Sequence, residues 1–341
     1  MATNIALAAL KATGASASRT FADRFADIVN VKDYGALGNG VANDAASIQA
    51  AFDAAFGSAA SPHGSAGATT NRPVFFPNGN YNCGSTPLTL TRVVGGHIFG
   101  AGPGATQISG AGSAVLAING AANLIVERMT LNCGNTAAGH IAIDLDWNNA
   151  AGGDGLHNNV FRDLLISNCN IGIRIANAGF GGTGNLFEAV TISNMVTGIV
   201  AVGASAFNNT VIGGGGNTFT AQLYWSSGGQ LHIYEPSIGA STGTVYGVRV
   251  DANVPVCVIG GRIESCNNFL KISTGLVTVR AFDMAAGVEY ASITGGKVTF
   301  DGCIVTNGGT GLINGTGGSI YLRACSLGSR AGYSGTVAQN I

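Results

Sequence analysis

The residues best suited to chemistry lie in Ile141-Ala142-Ile143-Asp144-Leu145-Asp146-Trp147. Apolar residues alternate with acids. If this run is a strand with Ile143 and Leu145 facing inward, Asp144 and Asp146 project from one outer side, about 6.7 Å apart. Glycoside hydrolysis uses two carboxylates at roughly 5 to 9.5 Å, flanking the scissile bond. The stretch from Trp147 to His157 is the longest insertion in the repeat pattern. It adds Asp154, His157 and an indole, Trp147, able to stack on a sugar. Long loops on a rigid scaffold are where binding groups collect. A plainer reading stands beside this one. Asp144 aligns with Arg174 one repeat later, which gives an interstrand ion pair. Asp154 sits in Gly152-Gly153-Asp154-Gly155, an ordinary turn.

A second patch is Gln230, His232, Tyr234 and Glu235, with Trp225 nearby. Interleaved aromatic and polar residues suit carbohydrate binding. They equally suit a subunit interface. Arg174, Arg249 and Lys271 fall in one column, which either binds an acidic glycan or neutralises adjoining acids. Glu127, Arg162 and Glu188 stack as alternating charges, a surface ladder of small energetic weight. No cluster of acids suits calcium, so a glycosidase is expected ahead of a calcium lyase. The five histidines are scattered and no Cys-x-x-Cys is present, so no metal or cofactor is expected. Whether the chain is catalytic is left open by these residues.

These side chains need positioning, and the sequence supplies it by repetition. Segments opening at Asn123, Asn159, Asn185, Asn209, His232, Val256, Val277, Val298 and Ser319 share one pattern. Each gives a β-rich run, small polar residues, a second β-rich run and a Gly-rich loop. Such a period, roughly 20 to 36 residues, marks a solenoid. Leu164 falls over Val190, Ile166 over Ile192, Asn168 over Asn194 and Ile173 over Ile199. One coil of parallel strands cannot bury its apolar face alone, whereas coils stacked about 4.8 Å apart can. The expectation is a right-handed parallel β-helix of about nine recognisable coils, handed by the usual crossover preference. The column Asn168, Asn194, Asn307 fits a tight left-handed turn whose amides bond from coil to coil. A propeller wants about 40 residues per blade and fits poorly.

Composition agrees. Fifty-four glycines suit a fold with several turns per coil, and 46% hydrophobic residues argue against disorder. Only 10% of residues are charged and the net charge is −1, without the basic footprint of a nucleic-acid partner. Low charge also hints at surface covered by sister subunits. No apolar run is long enough to span a membrane. Met1-Ala2-Thr3-Asn4 lacks a basic start and Ile5–Leu10 is a weak apolar run, so a secretory leader is not expected. Of seven cysteines, Cys303 and Cys325 share an inward slot in successive coils. They either pack as free thiols or form a disulfide between coils.

Three regions follow. Residues 1–30, small and mixed, read as an attachment arm that orders against a partner. Residues 31–110 hold a cap and first coils, and residues 111–341 the β-helix. Ile48, Phe52, Ala55 and Phe56 share one helical face, with Asn43 or Asp44 as N-cap and Gly57 as stop. Such a helix covers the open edge of the first coil. Within 31–110, four motifs occur in order: Val31-Lys32-Asp33-Tyr34-Gly35-Ala36, Ala46-Ser47-Ile48-Gln49, Val74-Phe75-Phe76-Pro77-Asn78-Gly79-Asn80-Tyr81 and Phe99-Gly100-Ala101-Gly102. Together they resemble the pectate-lyase-like superfamily, in particular its branch in bacteriophage tail spikes. Asn39 and Asn43 stand where that family often has Asp. The resemblance implies a homotrimeric, virion-attached spike whose residues 1–30 join other phage tail proteins and whose body meets host surface glycan, with or without cleavage. A polysaccharide-degrading enzyme and a non-catalytic decoration protein are the alternatives. Only fourteen residues follow Leu327, so trimer contacts are expected from the solenoid faces and the termini.

Overall fold

The computed structural model describes residues 9–11, 13–57, 71–147, 156–177, 184–201, 205–208, 211–212, 223–225, 231–239, 246–251, 255–264, 268–285, 289–305, 312–315, 317–327, 333–334 and 337–339. From Val29 onward every strand pairing among them is parallel and joins one rung to the next. The fold is a parallel β-helix.

Each rung has three sheets, and the columns can be followed through the registers. On the first sheet, Val126 pairs with Phe161, Phe161 with Phe187, Phe187 with Phe207, Phe207 with Ile233 and Ile233 with Val258. The described side chains of this column are buried, and the Phe161 and Phe187 rings stack at 4.9 Å. On the second sheet, Leu131, Ile166 and Ile192 stack, and on the third Leu145 and Ile175. Burying one such side chain gives about 1.5–3 kcal/mol, available only when a neighbouring rung covers it. The repeat pattern therefore carried the fold. Its register slipped where loops differ in length: Ser205, rather than Asn209, stands opposite Asn185.

The corners explain how a buried chain turns. Between the third and first sheets Asn159 and Asn185 are fully buried. Asn159 Nδ2 donates to the Ala121 carbonyl and to Asn185 Oδ1, both at 2.8 Å. Asn159 Oδ1 accepts from the Leu124 amide at 3.0 Å, and Asn185 Nδ2 donates to Leu156 O at 3.0 Å. Between the second and third sheets Asn168 and Asn194 adopt φ of 56° and 53°, and the Asn194 amide bonds Asn168 Oδ1. The expected asparagine column is present there; Asn307 lies outside the described residues. Between the first and second sheets Arg128, Asp163 and Ala189 all have positive φ, as do Glu235, Ala281 and Ala324 further along.

Ala45–Phe56 is the capping helix, with Asp44 before it and Gly57 after it. Ile48, Phe52, Ala55 and Phe56 are buried, as their spacing required. Gln49 grips the backbone of Thr89 from both sides, Oε1 accepting from its amide and Nε2 donating to its carbonyl, each at 2.9 Å. That closes part of a strand edge. Asn39 and Asn43 serve local turns: Asn39 Oδ1 accepts from the Val41 and Ala42 amides, and Asn43 Oδ1 from Ala45. In the arm, Ala9–Lys11 and Ser18–Thr20 form an antiparallel pair, and Arg19 binds Asp23 and Asp27.

The cysteines decide between the two readings of Cys303 and Cys325 and add a bond that neither contained. Cys133 and Cys169 form a disulfide, while Cys303 and Cys325 remain thiols. Cys133 follows Asn132 while Cys169 lies beyond the Asn168 turn, so the two meet although their sequence slots differ. Burial pushes the Cys303 thiol up to about 11 and, with help from Asp44, the Cys83 thiol up to about 12.

Two outcomes follow. A non-reducing peptide map yields a linked Cys133–Cys169 pair and no Cys303–Cys325 pair. Asn159→Leu strands the Leu124 amide and Ala121 carbonyl, at about 1–3 kcal/mol for each unsatisfied group. It lowers the unfolding temperature by roughly 5 °C or more, followed by circular dichroism.

Candidate functional site

The third sheet gathers three of the residues singled out by sequence. Asp144 pairs with Ala117 and Asp146 with Asn119, while His157 pairs with Ala122. All three partners belong to the strand Ala114–Ala122. Asp144, Asp146 and His157 are each part-exposed, so they share the outer wall of one sheet. Trp147 continues the strand opposite Asn177, and Asp154 lies outside the described residues.

Asp144 is already engaged. Arg174 donates from Nε to Oδ1 at 2.7 Å and from Nη2 to Oδ2 at 2.5 Å. The hydrogen bonds that Arg174 donates to Asp144 raise the Arg174 pKa above its ordinary value. Both oxygens of this carboxylate are thus occupied by one planar guanidinium, a bidentate pair with fixed geometry. The interstrand reading of this pair is the one realised. The column below it holds Tyr224, Arg249 and Lys271 in register. Arg249 binds Asp251 at 2.5 Å, and Lys271 lies 5.0 Å from the Tyr246 ring centre. These cations are locally partnered.

The second patch lies on another wall. His232 and Tyr234 belong to Leu231–Tyr234 on the first sheet, their rings 6.0 Å apart and nearly parallel. The structure thus separates them from Asp144 and Asp146. Trp225 is on the third sheet, opposite Val250, which is buried. Gln230 lies outside the described residues.

The expected ladder of Glu127, Arg162 and Glu188 is in register near the corner of the first and second sheets; what sequence reading missed is its tie to His97 and the groove beside it. Glu127 is 7% exposed. It receives His97 Nε2 at 3.1 Å and the Arg162 guanidinium. Burial pushes its pKa up, but the bonds from Arg162 and His97 outweigh that and hold the carboxyl below its ordinary range. His97 stacks on Phe99 at 4.8 Å, and Phe99 on Phe75 at 5.0 Å. Next to it opens a groove of about 470 Å³, lined by Gly102, Pro103, Arg128, Asp163, Leu165 and Thr191 among others. Arg128 and Asp163 each follow a member of the charged ladder directly, a signal present in the sequence. Among the described residues, no group of three or more His, Cys, Asp or Glu forms a metal site.

A family model described as rhamnogalacturonase A/epimerase, pectate lyase-like, matches residues 28–267. Over 85 residues the chain is 46% identical to mannuronan C5-epimerase AlgE1 of Azotobacter vinelandii. That stretch is 23% of this chain but 5% of the epimerase, so the match spans only a small part of that relative. Among solved structures, the gp42 tailspike of Acinetobacter phage vb_AbaP_AS12 superposes with a TM-score of 0.62 at 12% identity. The match covers 92% of this chain and 63% of that one. The ORF18 protein of Geobacillus virus E2 gives 0.54 at 16%, covering 94% and 62%. At these identities the likeness is one of fold.

The Glu127 cluster makes a pH-dependent prediction. A carboxyl lowered in the folded state contributes stability that is full above its unfolded value of about 4.3 and is lost as acid titrates it. Glu127→Gln is therefore less stable than the parent at pH 7, by about 1 kcal/mol given the exposed Arg162. The two converge below the unfolded carboxyl's value, as read from unfolding temperatures across pH.

Proposed function

Because the chain belongs to the rhamnogalacturonase A/epimerase, pectate lyase-like family, we propose that it is a phage tail-spike protein that holds host cell-surface polysaccharide. The observation that carries this reading is the alignment of Asp144, Asp146 and His157 on one outer wall by the single strand Ala114–Ala122. Rigid placement of polar groups along an extended face suits a long, repetitive ligand, because little order remains to be imposed on binding. The Arg174 clamp on Asp144 favours holding over cleaving. A fixed ion pair presents acceptor and donor to sugar hydroxyls, whereas acid–base cleavage needs a carboxyl free to exchange its proton.

In this reading residues 1–30 attach the spike to other tail proteins, and the low-charge faces of three copies pack into a homotrimer. The tailspike fold likeness supports that placement. Among the described residues no helix is long and apolar enough to cross a membrane.

The test is incubation with purified host capsule or lipopolysaccharide. The parent retains polysaccharide and releases neither new reducing ends nor unsaturated uronate. The Asp144→Asn/Asp146→Asn double variant weakens retention about tenfold. Product release that this variant abolishes would replace a holding protein with a depolymerase. No retention by the parent would contradict the proposal, and light scattering must give three times the mass of one chain.

A further inference from the structure

The groove at the corner of the first and second sheets has no place in the reading above, yet it is built as a site. One wall is the turn Ala101–Thr106. Two buried threonines fix it. Thr106 Oγ1 donates to the Phe76 carbonyl at 3.0 Å and accepts from the Ala101 amide at 2.9 Å. Thr130 Oγ1 accepts from the Gly104 amide at 3.0 Å. Gly102 O closes the turn by accepting from the Ala105 and Thr106 amides. At its root, a Cβ on Gly100 would collide with the Arg128 carbonyl, so wall and corner approach at backbone distance. The floor is formed by Leu165 and Thr191, outward positions of successive rungs on the second sheet.

The rim carries two charges that stand outside the ion pairs of the solenoid walls. Arg162, Arg174, Arg249, Arg262 and Arg280 each face an acid, and Lys297 lies over the Tyr321 ring. Among the described residues the Arg128 side chain reaches only the Ala101 carbonyl, at 3.4 Å, and it is exposed. Asp163 is exposed and has no hydrogen-bond or ion-pair partner among the described residues. Both occupy left-handed corner positions, φ 60° and 50°, a conformation that costs a non-glycine residue on the order of 1 kcal/mol. The fold thus holds one cation and one anion, one rung apart, at the mouth of a groove of about 470 Å³; Asp163 feels the charge of the adjacent Arg162, but neither residue is held in an ion pair among the described residues. That volume falls within the usual size of small-ligand sites.

We propose that this groove is a subsite for a charge-neutral sugar unit of the polysaccharide. The Arg128 guanidinium donates to sugar hydroxyls and the Asp163 carboxylate accepts from them. Leu165 and Pro103 underlie the apolar face of the ring. The charges decide the class. Arg128 and Asp163 cancel, and the flanking ladder Glu127, Arg162, Glu188 adds one net negative charge. A polyuronate would bring a further negative charge with every unit into that field. A neutral hydroxyl-rich unit meets no such penalty. This inference rests on the polysaccharide-holding reading and adds to the third-sheet wall a second contact, at another corner, with the class of sugar held there.

The experiment uses the full chain on an array of bacterial capsule and lipopolysaccharide glycans with neutral and acidic members. It compares the parent with Thr191→Trp, which fills the groove, and Asp163→Asn, which keeps a residue tolerant of the left-handed corner while removing the charge. The parent is expected to select neutral glycans, and both variants to bind them at least tenfold more weakly with an unchanged unfolding temperature. Affinity of the parent should change less than twofold between low and high salt, as screening requires of an interaction without net charge. Selection of acidic glycans, steep salt dependence, or variants that bind as the parent does each overturn the groove assignment while glycan binding stands. A parent that binds no glycan overturns both readings.

Discussion

A strand that is apolar on one side and polar on the other has nowhere to hide its apolar side except beneath its own neighbour. Every other feature of this protein follows from that constraint. Stacking rungs in parallel solves the burial problem, but it forces the chain to turn three times per rung inside a nearly dry column. Backbone groups at those turns need partners. Asn159 and Asn185 supply them at one corner, each amide bonding backbone carbonyls and the next rung together. Burial and hydrogen bonding thus act along the same axis, and each rung is meaningful only with its neighbours present. The helix Ala45–Phe56, with Gln49 on the Thr89 backbone, covers the column at its N-terminal side.

The same constraint sorts the outer side chains. Because registers are fixed, residues one rung apart stand about 4.8 Å from each other. Charges placed in that lattice find partners or repel. The Asp144–Arg174 and Glu127–Arg162 pairs are what the lattice makes of its acids and bases. Much of the outer charge is therefore neutralised within the sheet, whereas Arg128 and Asp163, at a corner, stand outside its ion pairs among the described residues. This is why pairing, rather than residue type, separates structural charge from charge available to a ligand.

Much of this was legible beforehand. Period-two alternation placed Ile166 on Ile192 and Asn168 on Asn194, and the structure keeps those neighbours. The capping helix was legible from Ile48, Phe52, Ala55 and Phe56. What escaped had physical causes. Loop lengths vary between rungs, so counting residues drifted past Ser205 to Asn209. The Cys133–Cys169 bond crosses a left-handed turn that shifts the slots by one residue, so slot alignment did not pair them; Cys303 and Cys325, which share a slot, are thiols, one of the two readings the alignment left open. The corner at Arg128, Asp163 and Ala189 takes a charged base, an acid and a methyl group in the same conformation. No residue type advertises it, so the groove it borders had no signature. The Asp144–Asp146 spacing was visible, but the competing Arg174 contact needed a register to be decided.

The central claim is that stacked rungs are rigid throughout and that a glycan meets only their outer surface. Amide hydrogen exchange, with and without bound polysaccharide, tests it most directly. The account predicts slow exchange in buried strands such as Val160–Asn177 in both states, and added protection on ligand binding confined to outward segments of the first, second and third sheets. Rapid exchange through those strands in the free protein, or ligand protection confined to residues before Val29, would contradict it.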